Sequence, residues 1–153
     1  KKINKSEYLS IVITNQPGIA KGFFIYETLS AIHNKMDTLL GNEGAYIDNL
    51  YFCPHHPEKG FAGEIPDLKI DCECRKPKPG LIYTAADKYN IDLKNSFFIG
   101  DRYADIMAGK NAGLRTVLVK TGYAGSDKKK YSIEPDYIFK NLNEAINFII
   151  GEL

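Results

Sequence analysis

Short apolar runs alternate along this chain with stretches whose apolar residues recur at helical spacing. The first run, residues 8–14, is rich in β-branched residues and breaks at Asn15, which is typical of a buried parallel strand followed by a loop. Further runs predict strands at 47–52, 96–99, 115–119 and 137–139. This repeated strand–helix order predicts an α/β fold with a mostly parallel sheet and helices on both faces.

Helices are predicted between these strands from spacing, caps and stop signals. The apolar face of the first helix consists of Leu29, Ile32, Met36 and Leu39, with Gly41 as the stop signal. Pro79 is placed in the first turn of a second helix, and a third helix passes through Ile106 and ends near Gly113. Asn141 caps the closing helix, with Glu144 three residues further on.

The length, composition and net charge of the chain exclude several classes of function and partner. The 153 residues, 44% of them apolar, are enough to form a core, so residues 1–153 are predicted to be one domain. A net charge of +1 creates no overall field toward nucleic acid or an anionic membrane, and neither is expected as a partner. Because the apolar runs are short and the first residues are polar, neither a signal peptide nor a membrane span is predicted.

All three cysteines fall in one segment, 53–76, which holds the motifs Cys53-Pro-His55-His56 and Cys72-Glu-Cys74-Arg75-Lys76. Three sulfurs and one imidazole form the tetrahedral ligand set that Zn²⁺ prefers, and spacing alone permits either histidine. A disulfide would leave one thiol unpaired, so thiols without metal are the main alternative. We therefore predict a zinc loop at 53–76, and cysteines used for metal favour a reducing, cytoplasmic compartment.

Three polar clusters follow predicted strands, where parallel sheets bind their ligands. They are Thr14-Asn15-Gln16, the zinc loop and Gly100-Asp101-Arg102. The Arg75-Lys76 pair suits an anion, and the carboxylates of Asp101 and Asp105 suit a hard cation, so a phosphate with Mg²⁺ fits both. Each cluster alone also has a plainer explanation: a turn at Thr14, a helix cap at Asp101, or solvated surface charges.

Four motifs in this order resemble one family. They are Ile-Val-Ile-Thr14-Asn15-Gln16-Pro-Gly-Ile-Ala, Tyr-Phe-Cys53-Pro-His55-His56-Pro, Cys72-Glu-Cys74-Arg75-Lys76-Pro77-Lys-Pro79-Gly80 and Phe-Ile-Gly100-Asp101-Arg102-Tyr-Ala-Asp105. From about Leu9 onward the chain resembles the D-glycero-D-manno-heptose 1,7-bisphosphate 7-phosphatases of the haloacid dehalogenase superfamily. The resemblance implies a three-layer α/β/α Rossmann-like fold. It also implies Mg²⁺-dependent removal of the 7-phosphate from a phosphorylated sugar, in the synthesis of nucleotide-activated heptose for surface glycans.

The resemblance also implies roles for individual residues. Thr14 would bind the phosphoryl group, Lys76 would stabilise it, and Asp101 would ligate Mg²⁺. Further substrate contacts would come from Asn15, Gln16, Arg75 and Arg102. Structural Zn²⁺ would be held by Cys53, His55, Cys72 and Cys74, which leaves His56 outside the ligand set. Asp105 would orient a neighbouring group.

One part of the family pattern is absent from this sequence. The family uses an aspartate nucleophile, in an Asp-x-Asp motif after its first strand, to form an aspartyl-phosphate. Since no such motif occurs here, the chain as given is expected to be inactive, with that central strand supplied by a missing N-terminal segment or by a neighbouring chain. A structure is then expected to show a gap or a foreign strand, whereas one continuous sheet from this chain would contradict the idea.

Two rival functions stay open at this point. Histidinol-phosphate phosphatase is the nearest, although the related family has a shorter zinc loop than the 16 residues that separate His55 from Cys72 here. A non-catalytic module that binds a sugar phosphate or a protein is supported only by the absent nucleophile.

Overall fold

Residues 1–151 are described by the computed structural model, and the chain divides into two compact units, Lys1–Arg75 and Lys76–Leu153. Each unit contains the strand–helix alternation predicted from the apolar pattern. The single-domain assignment stays a prediction.

The first unit is built on two parallel strands. Strand β1 (Ile11–Asn15) pairs with β2 (Asn49–Cys53), and helix α1 (Tyr26–Asn42) connects them. Asn15 lies opposite Cys53 in this register, so the polar end of β1 and the start of the zinc loop share one end of the sheet. Two short 3-10 turns, Ile3–Lys5 and Pro66–Leu68, complete the unit.

Four details of the first unit differ from the prediction, the first being strand β2, which spans Asn49–Cys53 and not 47–52. Strand β1 begins at Ile11 and not at residue 8, because the N–H of Ser10 is taken by the side chain of Asp48 at 2.6 Å. Gly41 lies inside α1, which continues to Asn42. Leu29 is buried as expected, but Ile32 and Leu39 are each 53% exposed, so most of the predicted apolar face lies outside the core of the described residues.

The second unit contains a three-stranded parallel sheet in the order β3-β4-β5. In chain order its elements are α2 (Gly80–Tyr89), β3 (Phe97–Gly100), α3 (Tyr103–Asn111), β4 (Arg115–Val119), β5 (Tyr137–Phe139) and α4 (Leu142–Ile149). Pro79 immediately precedes α2 as its N-cap, one position earlier than predicted. The 3-10 turns Leu93–Asn95 and Lys128–Lys130 lie in the connections.

Strand β4 is buried on both faces. Its side chains alternate between the two faces of the sheet, and each face packs into its own hydrophobic cluster. Leu118 packs with Tyr103 and Ile106 of α3, while its neighbours Val117 and Val119 pack with Ala145 of α4. Because successive side chains of a strand point to opposite faces, α3 and α4 cover opposite faces of this sheet. The second unit therefore has the helix–sheet–helix layering predicted from the sequence.

The predicted cap of α4 is confirmed. The side chain of Asn141 accepts a hydrogen bond from the Glu144 N–H at 3.0 Å, and the Glu144 carboxylate accepts one from the Lys140 N–H at 3.1 Å. These contacts satisfy two backbone donors at the start of the helix.

The five strands of residues 1–151 form two sheets, β1–β2 and β3–β4–β5, with every pairing parallel. The predicted α/β fold with parallel sheets is therefore confirmed. One continuous sheet, which would have contradicted the expectation of an absent central strand, is not formed by residues 1–151. The origin of that strand stays a prediction.

None of the helices in the described part of the chain is both long and apolar enough to cross a membrane.

A polar network supports the start of β4. Thr116, which is fully buried, donates to the Asp136 carboxylate from its backbone N–H at 2.7 Å and from its hydroxyl at 2.9 Å, and Lys110 is a further donor. Burial by itself raises the pKa of Asp136, but the hydrogen bonds from Lys110 and Thr116 outweigh it and lower the pKa. The ionised carboxylate is therefore the form that the fold stabilises.

Replacing Asp136 with alanine is expected to lower the free energy of unfolding at pH 7 by about 2 kcal/mol, because the buried Thr116 donors lose their acceptor. A folded-state pKa below the usual 3.8 means that this contribution is present above pH 3.8 and is lost as the pH falls through the folded-state pKa. Urea unfolding of both proteins at pH 7 and at pH 3 tests this. A gap between them that widens in acid would contradict the assignment.

Candidate functional site

Four side chains of the first unit form one compact cluster, the Cys₃His cluster: Cys53, His55, Cys72 and Cys74. Their ligand atoms all lie within 4.8 Å of one another. The Cys72 and Cys74 sulfurs are 3.1 Å apart, Cys53 is 3.5 Å from Cys72, and the His55 Nδ1 atom is 3.2 Å from Cys74 Sγ. All three thiols are free, since a disulfide would need about 2.0 Å between sulfurs.

The donor set and spacing of the cluster fit Zn²⁺. Tetrahedral zinc with thiolate ligands separates its sulfurs by about 3.8 Å, and the three sulfurs here lie 3.1 to 3.5 Å apart, so a small outward shift would make room for the ion. Burial and then hydrogen bonding to Cys74 raise the pKa of Cys53; burial also raises the pKa of Cys74. Since zinc binds the thiolate, metal binding would displace protons from these thiols. Four protein ligands would close the coordination sphere, which is the pattern of a structural site.

The loop between the two halves of the cluster is organised around Phe61. The Lys21 and Lys69 ammonium groups lie 4.3 Å and 4.8 Å from the centre of its ring. Phe23 and His56 meet the same ring edge-on, with centroid distances of 6.0 Å and 6.2 Å. The loop therefore has its own packing around one aromatic ring, and Cys53 and Cys72 lie on either side of it in the chain.

The two adjacent histidines have different environments. His55 contributes Nδ1 to the Cys₃His cluster, whereas His56 is not among its ligands. The Nδ1 atom of His56 is buried without a hydrogen-bond partner within residues 1–151. Burial and then the charges of Arg75 and Lys21 lower the pKa of His56, which keeps this ring neutral at pH 7.

The side chain of Arg75 is hydrogen-bonded to the backbone of a residue in the Cys₃His cluster. Its guanidinium donates a hydrogen bond to the carbonyl oxygen of His55 at 3.1 Å. A residue predicted to contact substrate is thus held by a residue predicted to hold zinc.

At the end of β1, the Gln16 side-chain amide donates to the Thr14 hydroxyl at 3.2 Å, and the Gln16 N–H donates to the Cys53 carbonyl at 2.8 Å.

Lys76 and Asp105 form a mostly enclosed ion pair in the second unit. Lys76 Nζ lies 2.7 Å from Asp105 Oδ1, and the two side chains are 13% and 8% exposed. The other Asp105 oxygen accepts the Arg102 N–H at 3.1 Å, which caps α3. Asp105 is buried and is therefore not a surface residue, while its role in orienting Lys76 stays a prediction.

Gly100 is required by the position of Asp105. A Cβ atom built on Gly100 would collide with the Asp105 side chain. The glycine thus allows the carboxylate to pack against the last residue of β3, where it meets Lys76 and the start of α3.

Asp101 follows β3 directly and is partly exposed. Its Oδ2 atom accepts the Tyr123 N–H at 2.7 Å, while Oδ1 accepts no hydrogen bond from the described residues. A carboxylate with one oxygen held and the other open fits Mg²⁺, which binds one or two carboxylates together with substrate phosphate. Arg102, the next residue, stacks its guanidinium 3.4 Å from the centre of the Tyr123 ring.

The structure also contains contacts that sequence reasoning missed. Tyr123 touches both Asp101 and Arg102, and Asp127 accepts the backbone N–H groups of Tyr103 and Ala104 at 2.7 Å and 3.2 Å. Asp127 lies in a charged run at residues 126–130, and no local pattern marks it, because its partners are more than 20 residues earlier in the chain.

Comparison with known proteins adds independent findings. Residues 73–145 match the family model described as HAD-hydrolase-like. A protein of Photorhabdus laumondii named D-glycero-alpha-D-manno-heptose-1,7-bisphosphate 7-phosphatase is 40% identical over 140 residues, which are 91% of this chain and 74% of that protein. A Pasteurella multocida protein named for the beta anomer is 39% identical over 146 residues, 94% of this chain and 75% of its own length.

Solved structures give the same comparison in three dimensions. The D,D-heptose 1,7-bisphosphate phosphatase from B. bronchiseptica, complexed with magnesium and phosphate, matches with a TM-score of 0.84 and 30% identity. The match covers 99% of this chain and 79% of that one. The enzyme of the same name from Burkholderia thailandensis matches with a TM-score of 0.66 at 24% identity, which is a likeness of fold.

Proposed function

Because this chain belongs to the D-glycero-D-manno-heptose 1,7-bisphosphate 7-phosphatase family of haloacid dehalogenase-like hydrolases, we propose that it acts in a Mg²⁺-dependent phosphatase that removes the 7-phosphate from this sugar bisphosphate. The observation that carries the proposal is the identity with relatives of that activity over nine-tenths of this chain. Since relatives named for the alpha and beta anomers match almost equally, the proposal covers both anomers.

The second unit supplies a cation and a metal ligand in this proposal. Lys76 places a point charge against the transferring phosphoryl group, and Asp105 holds that charge in position. Asp101 would ligate Mg²⁺, and Arg102 would contact substrate. When bound, Mg²⁺ supplies positive charge that neutralises the phosphoryl oxygens.

The first unit supplies phosphate and substrate contacts in this proposal. The Thr14 hydroxyl, oriented by Gln16, donates to the phosphoryl group. Asn15, Gln16 and Arg75 contact the rest of the substrate, with Arg75 offering the planar fork that suits a second phosphate or a sugar hydroxyl. The Cys₃His cluster would hold Zn²⁺, which would restrain the loop and, through the His55 carbonyl, the Arg75 side chain.

The proposed reaction also needs an aspartate nucleophile, and the sequence contains no Asp-x-Asp motif. We expect this residue and the strand that carries it to come from a preceding segment or a neighbouring chain. The proposed location is the cytoplasm, where thiols that bind zinc stay reduced.

The test is release of inorganic phosphate from both anomers of the sugar bisphosphate and from histidinol phosphate, measured with Mg²⁺ on the full-length gene product. We expect kcat/KM to favour the sugar bisphosphate by at least about tenfold. Faster hydrolysis of histidinol phosphate would replace the proposed substrate, and turnover of neither compound would favour the non-catalytic module.

A further inference from the structure

We propose that Asp127 is a positioning residue for Asp101, acting through the segment 122–127 that follows β4. The inference rests on the proposed function, in which Asp101 ligates Mg²⁺. Asp127 itself touches neither metal nor substrate in this proposal. It anchors the segment 122–127, and that segment positions the metal ligand Asp101.

The segment 122–127 donates two backbone hydrogen bonds to Asp101. The Tyr123 N–H donates to the Asp101 carboxylate at 2.7 Å, and the Gly125 N–H donates to the Asp101 carbonyl oxygen at 2.7 Å. Gly122 has a φ of +64°, and a Cβ atom there would collide with the Asp101 carboxylate. The same short segment therefore fixes both the backbone and one carboxylate oxygen of Asp101.

Asp127 fastens the other end of this segment. Its Oδ1 atom accepts the Tyr103 N–H at 2.7 Å and its Oδ2 atom accepts the Ala104 N–H at 3.2 Å. These donors belong to the first turn of α3, two and three residues after Asp101, where a carboxylate is favoured by the helix dipole. The segment is thus bound to Asp101 and to the helix that Asp101 precedes.

Asp127 does more than a local helix cap does. Helix α3 already has a cap of its own, since Asp105 accepts the Arg102 N–H. Asp127 instead connects the first turn of α3 to a different part of the chain, since it lies 23 residues after Ala104 and 24 residues after Tyr103. Asp92 offers the contrast: it caps its own 3-10 turn by accepting the Lys94 and Asn95 N–H groups at 3.1 Å and 3.4 Å.

These two aspartates give a matched pair of variants. We expect D127A and D92A each to lower the Tm by a few degrees without metal, because each loses an acceptor for two backbone donors. Only D127A should weaken Mg²⁺ binding, by about tenfold in Kd, as is usual when a residue that orients a metal ligand is removed. The measurement is a titration of the full-length proteins with Mg²⁺ alone, by calorimetry and by the rise in Tm.

The conservative variant D127N guards against loss of folding. Its amide oxygen still accepts one N–H, so D127N should recover part of the Mg²⁺ affinity lost in D127A. Equal Mg²⁺ affinity in wild type, D127A and D127N would overturn the inference and leave the proposed function standing. A wild-type protein that binds no Mg²⁺ would overturn both.

Discussion

Replacing Lys76 with methionine is expected to lower kcat/KM for the sugar bisphosphate by about 10³-fold, the usual effect of removing one preorganised group that stabilises transition-state charge. Methionine keeps most of the length of the unbranched side chain and removes its charge and its N–H donors. Lys76 Nζ is held 2.7 Å from the Asp105 carboxylate, so little reorganisation is needed before it acts on the phosphoryl group.

The same substitution also affects folding, because Asp105 then keeps a mostly buried charge without its partner. We expect the free energy of unfolding to fall by about 3 kcal/mol. Adding D105N to K76M removes the unpaired charge and retains an oxygen for the Arg102 N–H, so the double variant should recover most of that stability.

The double variant separates the two effects of Lys76. Urea unfolding should show recovery of stability in K76M/D105N, while steady-state kinetics should show activity as low as in K76M. If activity returned together with stability, the charge of Lys76 would be a structural feature only, and its proposed role in catalysis would be wrong.

Replacing His55 with alanine is expected to weaken Zn²⁺ binding by more than about 100-fold, since even residues outside the ligand set contribute 10- to 100-fold to metal affinity. His56→Ala is the matched control, because His56 is adjacent in the chain but absent from the Cys₃His cluster. Metal content of the purified proteins should show about one zinc per chain in wild type and in H56A, and much less in H55A.

Loss of zinc should affect specificity more than chemistry. Without the metal, His55 loses its anchor, and Arg75, which donates to the His55 carbonyl, loses a fixed acceptor. We expect H55A to lower kcat/KM for the sugar bisphosphate more than for a simple phosphate monoester. An unchanged ratio of the two values in zinc-free protein would show that the loop does not select the substrate.

Much of the secondary structure and of the zinc cluster could be predicted from the sequence because the signals are local. The apolar runs mark all five strands that the structure describes, and Asn141 with Glu144 marks the start of α4. The Cys₃His cluster is recognisable because all four ligands lie within 22 consecutive residues and no other cysteine competes.

The predictions failed where distant parts of the chain compete for the same groups. Asp48 takes the N–H of Ser10 and so delays the start of β1. Exposure of Ile32 and Leu39 depends on what packs against α1, which a helical repeat alone does not specify. Asp105 looked equally suited to a metal or to the surface, and its ion pair with Lys76 is visible only in three dimensions.

By itself the sequence determined the α/β class, the alternation of strands and helices, and the three cysteines of the predicted zinc site, since each depends on residue type and short spacing. Spacing left open which of the two adjacent histidines joins the cysteines, and the structure places His55 there. Only the tertiary structure decided which oxygen of Asp101 accepts a hydrogen bond, which carboxylate pairs with Lys76, and that Asp127 accepts a hydrogen bond from the start of α3. The physical reason is that hydrogen bonds and ion pairs act over about 3 Å in space, whatever the separation along the chain.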